Sequence, residues 1–208
     1  MTFSTLDDFL DRARVRLDPV DEAGCLPVGG DTDMIAPEKL PLVRPAAVLI
    51  PVIPRASGAT MLLTRRPDTM ASHPGQVAFP GGKVDAGDKS VVAAALREAS
   101  EEVGVDATHV DLIGCSAPYI TGSEFRITPV IGVLPANFIA KPDPYEVADV
   151  FEAPLDFIFN KTNHNHGEGV WQGRRRSYVE MPWQGFRIWG VTAGIIRVLY
   201  DTLYDIEV

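Results

Sequence analysis

Three glutamates, Glu98, Glu101 and Glu102, stand at i, i+3 and i+4. On a helix that spacing puts all three carboxylates on one face within a turn. Such a cluster repels itself, and a hard divalent cation offsets the repulsion through oxygen ligands, which suits Mg²⁺ or Mn²⁺. Taken alone, the triplet is also the ordinary look of a solvated helix face. What distinguishes it is the stretch just upstream, Phe79-Pro80-Gly81-Gly82-Lys83-Val84-Asp85. A glycine turn of this kind lets backbone approach a phosphate or a metal closely. It is not a Walker A loop, because Val77 and Val84 stand where that loop has Gly and Ser or Thr.

These residues need a helix to carry them, and the spacing predicts one over 90–103. Val92, Leu96, Ala99 and Val103 form its apolar face, Asp88 or Ser90 caps its start, and Gly104 fits the left-handed position after its end. Before it, 46–53 reads as a buried strand and 60–65 as its hairpin partner across Gly58. Further strands are expected over 110–118, 127–134, 177–181 and 186–190, a short helix after Pro154, and a polar loop over 161–174. A last apolar helix spans 192–203 with Thr192 as its cap. Residues 4–18 read as an amphipathic helix capped by Ser4 or Thr5, and 19–45 as an irregular connection. The expected division is therefore an N-terminal helix and arm over 1–44 and one domain over 45–208. Interleaved strands and helices make the class α/β, a sandwich around a mixed sheet.

Composition narrows the function classes. The 208 residues are 46% hydrophobic and 23% charged, enough apolar material for a core. The net charge of −9 excludes non-specific nucleic-acid binding, which needs clustered positive charge. Two cysteines, Cys25 and Cys115, cannot build a disulfide framework or a zinc ribbon, so a reducing compartment is the default. The longest apolar stretch, Pro45 to Pro54, is too short to span a membrane. Residues 1–4 carry no basic and apolar leader pattern, and the expected location is the cytoplasm.

Gly82 through Val105 resembles the Nudix box, Gly-x5-Glu-x7-Arg-Glu-U-x-Glu-Glu-x-Gly-U, where U is aliphatic and Ala99 takes the first U. The chain is one residue longer between Gly82 and Arg97, and Asp88 stands near the expected Glu. Both departures are similar to the coenzyme A diphosphatase branch, whose box runs Gly-Gly-Lys-x-Asp-x-x-Asp. The upstream stretch Leu62 to Gly82 also resembles that branch's signature, Leu-Leu-Thr-x-Arg-Ser-x-x-Leu-Arg-x-His-x-Gly-Gln-Val-x-Phe-Pro-Gly-Gly, differing at Pro67, Met70 and Ala71. Segments 144–155 and 188–193 look like later parts of the same family, so the resemblance covers about 46–200.

The resemblance implies an α/β/α sandwich and metal-dependent hydrolysis of the diphosphate in coenzyme A or acyl-coenzyme A, giving (acyl-)4′-phosphopantetheine and 3′,5′-ADP. Another Nudix substrate, such as ADP-ribose or NADH, is the alternative, and a silent nucleotide sensor a third reading, against which the intact carboxylates speak. Implied metal ligands for Mg²⁺ or Mn²⁺ are Glu98, Glu101 and Glu102, with the Gly82 carbonyl as an extra one. Implied catalytic groups are Glu101, Glu102 and Glu146, the last as base or further ligand, or else as a plain surface acid. Arg65, Arg66, His73, Gln76 and Lys83 are candidates for binding substrate. Arg97 and Gly104 are structural in the box.

Other features carry weaker signals. His164 and His166 lack the further ligands of a zinc site. Arg174-Arg175-Arg176 could meet a phosphate, and Trp171, Trp183 or Phe186 could stack on a base. The expected partner is a small-molecule substrate, with no nucleic acid and no membrane. The first helix and the arm could also mediate a homodimer.

Overall fold

The computed structural model describes residues 5–70, 72–171 and 174–204, with the side chains of Trp171 and Arg174 excepted. Its main sheet is mixed and holds β1 (Gly29–Gly30), β2 (Arg44–Arg55), β3 (Gly58–Arg65), β4 (Val77–Ala78), β5 (Gly81–Lys83), β6 (Asp111–Cys115), β7 (Tyr119–Thr121), β8 (Phe125–Val133) and β9 (Asp149–Pro154). A small antiparallel sheet follows, made of β10 (Asn165–Trp171), β11 (Arg174–Trp183) and β12 (Phe186–Trp189). The helices are α1 (Leu6–Arg16), α2 (Val91–Val103), α3 (Leu155–Ile158) and α4 (Gly190–Tyr204).

β2 is the axis of the main sheet. It runs parallel to β8 along one edge, from Arg44 opposite Phe125 to Val52 opposite Val133. Its other edge is shared: β5 takes Ala46 to Val48, and β3 takes Val52 to Arg55. The far end of β3, Thr64 and Arg65, pairs with β4 on one edge and β9 on the other. β2 and β3 therefore part company after the hairpin, and β4 and β5 fill the gap.

β2 is buried on both faces, which is why it reads as one apolar run. Ala47, Leu49 and Ile53 pack with Val92, Ala95, Ala99 and Val103 of α2. Ile50 and Val52 point the other way, into a core with Phe9 and Ala13 of α1 and Ile196 and Leu199 of α4. This is the helix–sheet–helix layering expected. α2 begins and ends as its sequence dictates. Ser90 accepts from the Ala93 N–H at 3.1 Å, and Gly104, at φ 73°, closes the helix in the left-handed conformation.

Several elements differ from the expectations. Residues 165–171 form β10, not a polar loop; the strand is largely exposed and is held by its ladder to β11, so it lacks an apolar alternation. The strand expected over 110–118 ends at Cys115 as β6, and β7 beyond it was not foreseen; the two pair with different parts of β8. β9, not foreseen, lies along β3. Thr192 does not cap α4 but sits buried inside it, donating to the Val77 carbonyl at 2.8 Å. The N-terminal segment is more than a lead-in: Thr5 caps α1, Phe9 is fully buried against Phe159, and β1 extends the main sheet beside β7. Ser4, the other candidate cap, lies outside the described residues. No helix among the described residues is long and apolar enough to cross a membrane.

Candidate active site

The glycine turn and the acidic helix meet at β5. Pairing with β2 fixes Gly81 opposite Val48 and Gly82 opposite Ala47, which holds the turn over α2. At Gly82 there is no room for a side chain: a Cβ would stand 2.5 Å from Glu98 Oε1 and 2.7 Å from Oε2. The Glu98 carboxylate thus lies directly against the backbone of the turn. One helical turn on, Glu102 Oε2 accepts a long hydrogen bond from the Gly81 N–H at 3.3 Å.

The three carboxylates do not share one environment. Glu102 is only 4% exposed, and burial pushes its carboxyl up to about 8, with the charges of Glu98 and Glu146 adding to the rise. Glu98 is also raised, first by burial, against the opposing pull of Arg97. Glu101 points out to solvent. Arg97 fastens this end of the helix to the turn. It grips both oxygens of Asp88 (3.0 and 3.1 Å) and donates to the Lys83 carbonyl (3.1 Å) and to Glu101 (3.1 Å), with Glu98 Oε1 at 3.0 Å. Asp88 is held below the ordinary carboxylate range, chiefly by Arg97.

A second segment approaches from the far end of α2. The Lys141 N–H donates to the Val103 carbonyl and the Asp143 N–H to that of Glu102, both at 2.9 Å. This stitches the 141–147 loop to the helix and brings Glu146 near enough for its charge to act on both Glu98 and Glu102. On the other side of the turn opens a cleft of about 420 Å³, lined among others by Gly82, Lys83, Arg44, Arg66, His73 and Gln76. The Arg66 Nε is buried there with no hydrogen-bond partner among the described residues. Arg44 donates to the Ser123 carbonyl at 3.2 Å and lies 4.0 Å over the Phe125 ring.

Comparison with known proteins settles the family, because the NUDIX domain profile matches residues 43–170, most of the chain. The chain belongs to the Nudix family. A Nudix hydrolase of Yersinia pestis named NudL, itself uncharacterised, is 44% identical over 160 residues, covering 75% of this chain and 78% of that protein. Its namesake in Yersinia pseudotuberculosis matches to the same extent. Among solved structures, the MutT/nudix family protein of Enterococcus faecalis is similar with a TM-score of 0.48 at 14% identity, over 78% of this chain and 61% of that one. The protein is a Nudix hydrolase acting on phosphoric anhydrides.

Nudix hydrolases in general use divalent metal ions. Among the described residues, no three carboxylate, imidazole or thiol side chains are gathered as a ready metal cage. The fold instead presents two, the half-buried Glu98 and the buried Glu102, with oxygen donors against a backbone turn. That donor set fits a hard divalent cation. Glu101 is turned away from the pair, towards Arg97 and solvent.

The remaining candidates are placed as follows. Arg66, His73, Gln76 and Lys83 line the cleft. Arg65 lines neither it nor its extension; Asp149 (2.7 Å) and Asp68 (3.2 Å) engage its guanidinium, so its place is structural. Trp183 donates to the Glu152 carbonyl and packs on Phe157, and Phe186 stacks on Phe151, so neither is offered to a base. His164 is buried with its Nε2 at the Ile158 carbonyl, 2.7 Å, apart from any metal cluster. Arg176 is tied to Asp33. Ala71 and the side chains of Trp171 and Arg174 lie outside what is described. Sequence reasoning missed Arg44, whose only signal was a lone basic residue before an apolar strand.

Proposed function

We propose that this Nudix hydrolase cuts the diphosphate of coenzyme A or acyl-coenzyme A in a divalent-metal-dependent reaction, giving (acyl-)4′-phosphopantetheine and 3′,5′-ADP. One observation carries the substrate reading: the stretch from Leu62 to Gly82 that resembles the coenzyme A diphosphatase signature sends Arg66, His73 and Gln76 to the cleft beside the Gly81-Gly82 turn. The unsatisfied Arg66 Nε is a donor awaiting an acceptor such as a phosphoryl oxygen.

Glu98 and Glu102 would hold the cation, Mg²⁺ or Mn²⁺, with the Gly82 carbonyl close by and Glu101 assisting. When bound, such an ion neutralises charge on phosphoryl oxygens and lowers the pKa of water. The chain's own residues supply position and proton handling. Arg44, Arg66 and Lys83 hold the diphosphate oxygens, where charge develops as the bond breaks. Glu146, an exposed acid whose charge reaches both Glu98 and Glu102, takes the proton of the attacking water. The water oxygen joins one phosphorus, the bridging P–O bond breaks, and its electron pair leaves on the other phosphate. Arg97 does not touch substrate; it sets Glu98 and the turn in place.

The test is product analysis by mass spectrometry after incubation with Mg²⁺ or Mn²⁺ and coenzyme A, acetyl-coenzyme A, ADP-ribose, NADH or dGTP. Release of 3′,5′-ADP from the coenzyme A species alone supports the reading. Turnover of ADP-ribose or NADH in their place overturns the substrate assignment and leaves the carboxylate helix standing.

A further inference from the structure

The cleft at the glycine turn is one of two joined compartments. The second, about 510 Å³, shares His73, Gln76, Thr121, Ser123 and Thr192 with the first. It runs away from the glutamates, between the N-terminal segment and the small sheet. Gly30, Asp31 and Met34 form one wall; Tyr178 and Trp189, 5.8 Å apart edge to face, form another. Arg176 of β11 reaches Asp33 with both carboxylate oxygens at 3.0 Å, which ties the two walls together.

The compartments differ in charge. In the first, Arg44, Arg66 and Lys83 make no ion pair among the described residues. In the second, the arginines are matched by acids: Arg176 by Asp33, and Arg197 by Asp201 at 2.8 Å. Asp31, which lines it too, adds a negative charge. A second phosphate finds little welcome there. The Tyr119 side chain is 8% exposed and lines this compartment, and its hydroxyl has no hydrogen-bond partner among the described residues. The hydroxyl is not sealed in the core but faces the compartment, where an acceptor on a ligand can meet it. Burial also holds the phenol protonated well above neutral pH, so it is a donor under working conditions.

We propose that the second compartment takes the uncharged arm of the substrate, a chain with hydrogen-bonding amide or hydroxyl groups and no phosphate, with the Tyr119 hydroxyl as donor and residues 29–34 as its wall. The inference rests on the diphosphatase reading above, within which that arm is pantetheine. It makes Tyr119 and the wall of Gly30, Asp31 and Met34 determinants of specificity.

The experiment uses the full chain with two variants. Tyr119→Phe removes only the hydroxyl. Ser177→Trp fills the compartment from an exposed position of β11, away from the core. Binding of pantetheine and of 3′,5′-ADP is measured by ligand-observed NMR in EDTA, at millimolar concentrations and without turnover. Pantetheine is expected to bind, about fivefold more weakly in Tyr119→Phe, the worth of one ordinary hydrogen bond, and not detectably in Ser177→Trp. In turnover with coenzyme A and metal, the Tyr119→Phe loss is expected in KM more than in kcat. Pantetheine binding that neither variant changes, or absent altogether, overturns the inference. So does loss of 3′,5′-ADP binding, not pantetheine binding, in Ser177→Trp. Variant-sensitive pantetheine binding without coenzyme A hydrolysis sinks the proposed function alone, and hydrolysis indifferent to both variants sinks this inference alone.

Discussion

Glutamine at position 102 should stabilise the metal-free protein at alkaline pH, although it removes an acid from the reaction centre. Glu102 is buried, and its carboxyl is pushed from 4.5 up to about 8. A carboxyl raised in the folded state keeps a proton that the unfolded chain has released, so stability falls as pH rises between those two values and levels off above. At about 1.4 kcal/mol per tenfold change in proton affinity, that rise makes the ionised Glu102 cost on the order of 5 kcal/mol. Glu102→Gln keeps the shape and an oxygen for the Gly81 N–H, and leaves its amide donors buried at roughly 1–2 kcal/mol. The variant should therefore match the wild type or fall slightly below it near pH 5, and exceed it by about 3–4 kcal/mol near pH 9. Urea unfolding followed by tryptophan fluorescence, in EDTA from pH 5 to 9, measures the difference. Millimolar Mg²⁺ should then stabilise the wild type more than the variant, because the ion supplies the counter-charge that the substitution makes unnecessary. A stability gap that does not change with pH, or a variant weaker at every pH, would refute the reasoning that Glu102 is a strained buried charge.

Three further outcomes follow from the same geometry. Arg97→Lys keeps the charge but cannot grip both Asp88 oxygens and the Lys83 carbonyl together; turnover should drop about tenfold or more, with thermal unfolding only modestly earlier. Gly82→Ala places a methyl 2.5 Å from the Glu98 carboxylate, so calorimetric binding of Mn²⁺ should weaken and kcat fall while the circular dichroism spectrum stays unchanged. Gly104→Ala forces a side chain to φ 73° and within 3.0 Å of Lys141 Cβ, and should cost about 1 kcal/mol in denaturant unfolding.

The sequence made α2 legible at both ends because cap, apolar period and left-handed glycine all agree there. The β2–β3 hairpin was legible because both strands are apolar around a Gly58 turn. β10 was hidden because Asn165, His166, Gly167 and Glu168 carry no strand signal; only the backbone ladder to β11 makes them one. β1 is two glycines recruited by β7, a pairing no local pattern announces. In the site, the spacing of Glu98, Glu101 and Glu102 shows that they share a face but not that Glu102 is buried and Glu101 exposed. That split depends on how β5 is laid over the helix, a long-range fact. Arg65 and Arg66 are neighbours with opposite fates for a similar reason: Arg65 ends β3 beside Asp149, and Arg66, one residue past the strand, turns to the cleft.

The parting of β2 from β3 has a consequence for how such a protein can change. The opening is written in main-chain hydrogen bonds, with β4 and β5 as spacers, so it does not depend on which side chains surround it. Substitutions along its rim can redraw the molecule's appetite while its shape persists. The spacer β4 is also fastened from behind, through the Thr192 hydroxyl on the Val77 carbonyl. The aperture therefore inherits the seating of the C-terminal helix, and small shifts in how α4 rests on the sheet can widen or narrow it from more than a hundred residues away in the chain.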